Sequence, residues 1–139
     1  MQYKRIMCLD YGDVRIGIAF SDLLQTIASP HSTYTRKNLD EDLKFFETLA
    51  KMQDVELVVI GLPYNMDGSV GERIEKTKEF GKILSEKLNL PIEYVDERLS
   101  SVEAEDILAE AHVPAIKRKG LIDKIAAGII LQNYLNSRN

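Results

Sequence analysis

The chain has 139 residues, 45% of them hydrophobic and 29% charged, and it carries a formal net charge of −4 at pH 7. This composition is typical of a globular protein, and the length predicts one domain over residues 1–139 with room for a substantial core. The mild acidity argues against a protein whose whole surface binds nucleic acid, and the apolar runs are too short to cross a bilayer.

Cysteine and histidine are scarce in this sequence. Cys8 is the only cysteine, and His31 and His112 are the only histidines. A disulfide framework and a structural zinc site of the Cys/His type are therefore excluded within one chain. The first ten residues enter a strand-like pattern at once, without the apolar segment of a secretion signal. These features predict a cytoplasmic protein without membrane contact, in which both histidines lie in loops.

The beginning of the chain predicts two strands joined by a tight turn. The segment 3–10 is largely apolar and ends at an acid, and the segment 14–22 alternates in the manner of a second, antiparallel strand. Gly12 lies in the turn between them, where a residue with positive φ is commonly needed. Gly17 interrupts the second strand, which suits a bulge or a close approach by another backbone or by a ligand.

The rest of the chain alternates between helical and strand-like patterns. Polar pairs three residues apart predict capped helix starts, and two apolar runs have the composition of buried parallel strands. We predict, in order, a strand over 30–36, a helix over 38–54, a strand over 55–63, a helix over 69–89, a strand over 91–97, a helix over 100–111, a basic loop over 112–120 and a helix over 121–136. This order indicates an α/β fold with a mixed sheet flanked by helices.

Acidic residues close two of the predicted strands. Asp10 ends the first strand, and Asp96 and Glu97 end the fifth. Ligands of open α/β sheets bind at the carboxyl ends of the parallel strands, so these acids converge if the first, fourth and fifth strands are parallel neighbours. Asp123, in the predicted first turn of the last helix, is a further candidate. Small and apolar residues along its helix face predict that this face packs on the sheet.

Carboxylates without a histidine beside them suit hard cations such as Mg²⁺ or Mn²⁺. Two such ions, about 4 Å apart, can activate a water and stabilise the leaving oxygen in phosphodiester hydrolysis. Simpler explanations are open for each acid alone. Asp10 could be a turn residue, and Asp123 could be a helix N-terminal acid favoured by the helix dipole. Glu97 could pair with Arg98, so the functional interpretation depends on convergence of the acids.

Four sequence blocks are arranged in an order typical of one protein family. The signature blocks of the YqgF/RuvX family, the pre-16S rRNA nucleases also called RuvC-like Holliday junction resolvases, resemble DYGDVRIGIAFSD, GLPYNMDGSVGER, VDERLSS and LIDKIAAGIILQNYL. The resemblance implies a ribonuclease H-like fold, with a five-stranded mixed sheet whose first three strands are antiparallel. It also implies catalytic, metal-binding acids at Asp10, Glu97 and Asp123, with Mg²⁺ or Mn²⁺ as cofactor. Asp96 stays an alternative to Glu97, because strand alternation turns only one of the two toward the site.

Polar and basic residues near these acids are candidates for substrate binding. A glycine-containing loop before a helix offers free N–H groups to a phosphate, and a basic cluster precedes Asp123. The candidates are Arg15, Asn65, Ser69, Arg98, Lys117, Arg118 and Lys119. Each has a structural alternative, as a hairpin charge, part of a capped turn, the partner of a neighbouring acid or a solvated loop residue. We assign Arg73, Lys76 and Lys78 to the outer face of a helix.

The leading hypothesis is a metal-dependent nuclease acting on RNA, for which the resemblance implies processing of the 5′ end of pre-16S rRNA in ribosome biogenesis. Cleavage of four-way DNA junctions is the alternative among enzymes. An ATP-binding module related to actin-like and sugar-kinase proteins, and a non-catalytic nucleic-acid-binding module, are the alternatives of other classes. The expected partner is nucleic acid, RNA or branched DNA, and the expected assembly is a monomer or a weak homodimer.

Overall fold

The computed structural model of the protein describes residues 3–64, 67, 71–97 and 100–138. These described residues form five strands and four helices. The strands are β1 (Arg5–Asp10), β2 (Arg15–Ser21), β3 (Ala28–Thr35), β4 (Val55–Leu62) and β5 (Ile92–Asp96), and the helices are α1 (Leu39–Met52), α2 (Glu72–Leu88), α3 (Ser100–Glu110) and α4 (Ala115–Ser137). The order of elements is the one predicted from the sequence.

The strands form one mixed sheet in the order β3-β2-β1-β4-β5. β1 pairs antiparallel with β2, and β2 pairs antiparallel with β3, whereas β1, β4 and β5 are parallel. The predicted mixed sheet with three antiparallel strands is therefore confirmed. Because β1, β4 and β5 run in the same direction, their carboxyl ends meet at one edge, which we call the carboxyl edge.

Helices cover both faces of the sheet and bury a core on each. Phe46 of α1 and Phe80 of α2 are buried with Leu9 of β1 on one face. Leu131 of α4 is buried with Cys8 of β1 on the other face, since successive side chains of a strand point to opposite faces. In the described part of the chain, no helix combines the length and the hydropathy of a bilayer-spanning segment.

The last helix begins earlier than predicted. α4 starts at Ala115, so the segment 115–120, predicted as part of a basic loop, is helical. Alanine, lysine and arginine are strong helix formers, and Pro114 directly precedes the first turn. Asp123 consequently lies more than two turns inside α4. The helix-dipole explanation for this acid is therefore wrong, because that effect is confined to the first turn.

Smaller differences concern turns and boundaries. α2 begins directly after Gly71, and its predicted start at Ser69 lies outside the described residues. His31, predicted in a loop, is an exposed residue of β3. Gly12 does not adopt the predicted positive φ; a Cβ atom there would lie 2.5 Å from the carbonyl oxygen of Arg15. Glycine is needed at this turn for the close backbone approach.

A buried acid anchors α1 to the sheet. Asp42 is fully buried, and its carboxylate accepts hydrogen bonds from the Tyr34 hydroxyl (2.8 Å) and from Arg36 Nε (3.0 Å). Burial alone would raise the pKa of Asp42, but these bonds and one from the backbone N–H of Lys37 lower it below its ordinary value. Arg36 also donates to the Tyr11 hydroxyl at 2.8 Å. The network therefore ties α1 and β3 to the turn that follows β1.

Candidate active site

Two carboxyl groups meet at the carboxyl edge of the sheet. Asp10 is the last residue of β1, and Glu97 directly follows β5, with β4 between the two strands. The backbone N–H of Glu97 donates to the carbonyl of Leu62 at 3.1 Å, which fixes Glu97 at the end of β4. A hydrogen bond joins the Asp10 and Glu97 side chains. Asp96, the predicted alternative, is exposed, whereas Glu97 is partly buried.

A glycine in β4 leaves room for this pair. Gly61 lies beside Val95 of β5, in a strand otherwise rich in buried apolar residues. A Cβ atom at Gly61 would lie 2.8 Å from Glu97 Oε2 and 2.9 Å from Ile130 Cδ1, which is closer than real Cβ contacts come. Glu97 therefore occupies space that any larger residue at this position would fill. The sequence signal is a lone glycine inside a buried β-branched run, and Gly61 was not among the residues predicted for the site.

The two carboxyl groups influence each other's protonation. Burial, the charge of Glu97 and the hydrogen bond between the side chains raise the pKa of Asp10 well above its ordinary value, and the charge of Asp123 raises it further. Burial also raises the pKa of Glu97. The hydrogen bond raises the pKa of Asp10 and lowers that of Glu97, so the protonation of one carboxyl group depends on that of the other. Such a pair is stabilised by a proton or by a cation between its oxygens.

Asp123 lies near this pair, but its carboxylate binds an arginine. Arg15 Nε donates to Asp123 Oδ2 at 2.7 Å, and the two side chains keep exposed fractions of 32% and 21%. α4 reaches β2 here because Gly17 has no side chain: a Cβ atom there would lie 1.9 Å from the Asp123 carbonyl oxygen. Gly17 thus serves a close approach by another backbone, one of the roles predicted for it.

The three predicted metal ligands are only partly assembled. Among the described residues, no group of three or more His, Cys, Asp and Glu side chains is arranged to hold a metal ion. Asp10 and Glu97 contact each other, whereas Asp123 is held by its counter-ion, Arg15. The charge of Asp123 nevertheless raises the pKa of Asp10, so the third acid belongs to the same electrostatic site.

The predicted substrate-binding residues have different positions. Lys117 is an exposed residue of the first turns of α4. Arg118 instead makes structural contacts: its guanidinium donates to the carbonyl of Val113 at 2.8 Å and pairs with Glu105 of α3 at 3.2 Å. The remaining candidates lie outside what the structure describes, three as whole residues and one as a side chain: Asn65, Ser69, Arg98 and Lys119.

Arg73 is a cation of this site that the sequence analysis placed elsewhere. It lies in the first turn of α2 and is exposed, as a residue of an outer helix face should be. Its positive charge also lowers the pKa of both Asp10 and Glu97, so it acts on the acid pair. The available signal was its place in the first turn after the β4 loop, because such turns lie at the carboxyl edge of the sheet.

Comparison with known proteins finds relatives over nearly the whole chain. The family model described as RuvX: Holliday junction resolvase matches residues 4–137. A protein of Halothermothrix orenii named "Putative pre-16S rRNA nuclease" is 52% identical over 135 residues, covering 97% of this chain and 96% of the relative. A protein of the same name from Syntrophomonas wolfei is 49% identical over 132 residues, covering 95% of this chain and 94% of the relative.

Solved structures of two resolvases share the fold. RuvC of T. thermophilus in complex with a Holliday junction aligns with a TM-score of 0.58 at 11% identity, covering 98% of this chain and 96% of that chain. Fowlpox virus resolvase in complex with Holliday junction DNA aligns with a TM-score of 0.59 at 11% identity, covering 96% and 98%. The predicted ribonuclease H-like fold is thereby confirmed. Together with the family match and the identity to the curated relatives, this shows that the chain belongs to the family described as RuvX: Holliday junction resolvase.

Proposed function

We propose that this protein hydrolyses phosphodiester bonds of nucleic acid at the Asp10–Glu97 pair, with Asp123 as the third acid. The observation that carries the proposal is the contact between two carboxyl groups at the carboxyl edge, where burial raises the pKa of both. Such a pair is costly to the fold unless it holds a proton or binds a cation, and carboxyl groups with shifted pKa values are common at functional sites. The nuclease names of the curated relatives support the same chemistry.

The donor set fits Mg²⁺ or Mn²⁺. Asp10, Glu97 and Asp123 offer carboxylate oxygens, the ligands that these hard cations prefer. Asp123 would complete the set once its carboxylate leaves Arg15. Such ions, when bound, supply an activated water and stabilise the leaving oxygen of the phosphodiester. The chain itself would hold two carboxylates at the ends of β1 and β5, on either side of β4, and the third on α4, which packs against the sheet.

Basic and polar groups around the acids would bind the substrate backbone. Arg15, once released from Asp123, is free to donate to a phosphate, and Arg73 already acts on the acid pair from α2. Phosphate contacts of this kind position a nucleic acid without reading its sequence. Arg118 would hold the start of α4 in place through its ion pair with Glu105. It would also contact a phosphate of the substrate. Further proposed contacts come from Asn65, Ser69, Arg98, Lys117 and Lys119.

The proposed substrate is the 5′ extension of pre-16S rRNA. The support is the name of the relatives that are 52% and 49% identical over nearly their whole length. Ribosome biogenesis would place the protein in the cytoplasm, acting as one domain over residues 1–139 and as a monomer or weak homodimer. Identity this high over the full chain also favours a functional nuclease over a non-catalytic module.

The test is cleavage of a 16S precursor RNA by the purified protein with Mn²⁺ or Mg²⁺. Asp10→Asn and Glu97→Gln are expected to abolish cleavage, because each removes a carboxylate of the contacting pair. Asp96→Asn is the matched control, since its side chain is exposed beside the site. Absence of cleavage with every metal, or equal cleavage by Asp10→Asn, would refute the proposal. Loss in Asp96→Asn and not in Glu97→Gln would transfer the role to Asp96.

Cleavage of four-way DNA junctions is the second candidate. It is favoured by the shared fold with two resolvases whose structures contain Holliday junctions. Symmetric cutting of a junction needs two active sites related by a two-fold axis. Sedimentation of the protein with and without a four-way junction decides the matter: two copies on one junction support this function, and a strict monomer on the junction contradicts it.

A further inference from the structure

A cavity of about 220 Å³ lies under the carboxyl edge, on the face of the sheet that α1 and α2 cover. Leu39, Phe80 and Ile83 contribute apolar side chains to its lining. The ring of Tyr11 borders the same space, with its centroid 4.8 Å from that of Phe80. These residues come from three separate segments of the chain, so no continuous stretch of the sequence predicts this cavity.

Polar groups also line this cavity. Arg36 and Lys76 offer N–H donors, and Glu79 offers carboxylate acceptors. The Arg36 guanidinium lies over the ring of Tyr11, 5.1 Å from its centroid, and is fixed there by the Tyr11 hydroxyl and Asp42. An apolar and aromatic lining with a few polar groups is typical of sites for small ligands. A nucleobase has this chemistry, with flat apolar faces and donors and acceptors along its edge.

The cavity is adjacent to the acid pair across the carboxyl edge. Tyr11 directly follows Asp10, and strand alternation turns the two side chains to opposite faces from Cα atoms about 3.8 Å apart. α2 spans both places, because Arg73 acts on the acids and Lys76, one turn further on, lines the cavity. A nucleic acid strand with one phosphate at Asp10 and Glu97 would therefore cross the edge with its next base above the cavity.

We propose that this cavity binds one unpaired nucleobase of a single-stranded RNA, next to the bond that is cleaved at Asp10 and Glu97. The inference rests on the proposed nuclease function and assigns that site its substrate class, a strand whose bases are free to leave the stack. Loss of the packing of one base should weaken binding about tenfold, which corresponds to about 1.4 kcal/mol. A fully paired duplex cannot deliver a base to this place.

The experiment combines a base scan of the RNA with a variant that fills the cavity. Affinities are measured in EDTA, so that binding is read without cleavage, for a single-stranded RNA in which one base at a time is replaced by an abasic site. Leu39→Trp introduces a large ring from a position that is 42% exposed, and Met52→Trp, at the other end of α1 and 71% exposed, is the matched control. The cleaved bond is mapped separately with Mn²⁺.

The wild-type protein and Met52→Trp should each lose about tenfold in affinity when the base beside the cleaved bond is missing. Leu39→Trp should bind the intact RNA about tenfold more weakly and lose nothing more with the abasic RNA, because both changes remove one contact. Additive losses, no single sensitive position, or equal binding by Leu39→Trp and Met52→Trp would overturn the inference. Absence of cleavage by the wild-type protein would refute the nuclease function separately, since the binding scan does not depend on it.

Discussion

Gly61 is the residue on which the position of Glu97 depends most directly. Gly61→Ala would place a methyl group 2.8 Å from Glu97 Oε2, so the carboxylate must move away from Asp10. Since a displacement of about 1 Å at a catalytic group can cost about 100-fold in rate, we expect a loss of that order in kcat, measured on cleavage of precursor RNA. The free energy of unfolding should fall by about 1–3 kcal/mol, as for other overpacked positions.

Gly120→Ala is the control for this substitution. A Cβ atom at Gly120 would meet no heavy atom within 4 Å, and the residue lies on α4, where alanine is favoured over glycine by about 1 kcal/mol. Cleavage should be unchanged and the protein slightly more stable. A Gly61→Ala variant as active as Gly120→Ala would show that the position of Glu97 is not critical.

The Arg15–Asp123 ion pair predicts competition between an arginine and a metal ion. In the proposed site Arg15 neutralises Asp123 until a cation binds. Arg15→Gln should therefore bind Mn²⁺ about two- to fivefold more tightly by calorimetry, since a partly exposed pair contributes about 0.2–1 kcal/mol. Cleavage should nevertheless fall, because a phosphate contact is lost. Arg15→Lys, which keeps the charge, should stay close to the wild-type affinity; unchanged or weaker Mn²⁺ binding by Arg15→Gln would contradict the competition.

The residues of the site differ in how far the sequence could reveal them. Asp10 and the neighbouring acids Asp96 and Glu97 were predictable because they end apolar strand patterns, and parallel strands bring such ends together. The preference for Glu97 over Asp96 came from the family resemblance. The pairing of Arg15 with Asp123 was not predictable, because it joins residues 108 positions apart and depends on how closely α4 packs on β2. The same holds for the burial of Asp42, because the sequence does not distinguish it from the other two acids in the first turn of α1, Asp40 and Glu41.

At the scale of elements, the contact between α4 and β2 places the third acid. Gly17→Ala would bring a Cβ atom within 1.9 Å of the Asp123 carbonyl oxygen and 2.9 Å of the Lys124 backbone nitrogen. Backbone atoms of a helix cannot relieve a clash by changing rotamer as a side chain can. The whole of α4 must therefore shift away from the sheet. We expect a loss of at least about 3 kcal/mol in the free energy of unfolding, measured in urea, together with loss of cleavage.

Gly128→Ala offers a graded comparison where α4 packs on β3. Its Cβ atom would lie 3.1 Å from Cγ of the Pro30 side chain, and the helix gains about 1 kcal/mol in propensity from alanine. The net change in stability should be small. Equal stability of Gly17→Ala and Gly128→Ala would mean that α4 is not closely fixed against β2.

The boundaries of the elements were also only partly predictable from the sequence. The strands and their alternation with helices followed from apolar runs, which are a local pattern, whereas the antiparallel arrangement of the first three strands was implied by the family resemblance. The start of α4 did not follow from local pattern, because a run of basic residues is equally compatible with a loop and a helix. Because the segment 115–120 is helical, Arg118 lies one turn after Pro114 and contacts Glu105 of α3. This tertiary contact cannot be predicted from the local composition.

At the scale of the whole molecule, the acid pair that we propose for catalysis lowers the stability of the folded protein. The pKa values of Asp10 and Glu97 are raised above those of the unfolded chain. The folded protein thus binds protons more tightly, and each ionised carboxyl group costs stability once the pH exceeds its folded pKa. In EDTA near neutral pH we expect Asp10→Asn to be more stable than the wild-type protein, by about 1–2 kcal/mol or several degrees in Tm.

The gain in stability from Asp10→Asn should decrease as the pH falls. As the pH falls from the raised pKa of the pair toward about 4, the ordinary value for carboxyl groups, the wild-type pair takes up its protons and the advantage of Asp10→Asn should vanish. Mn²⁺ should stabilise the wild-type protein more than Asp10→Asn at neutral pH, since only the former keeps both carboxylates. Glu86→Gln, at an exposed position on α2, controls for the change in net charge and should show none of these effects. Thermal unfolding across this pH range, with EDTA and with Mn²⁺, tests the prediction, and a destabilised Asp10→Asn at neutral pH in EDTA would contradict it.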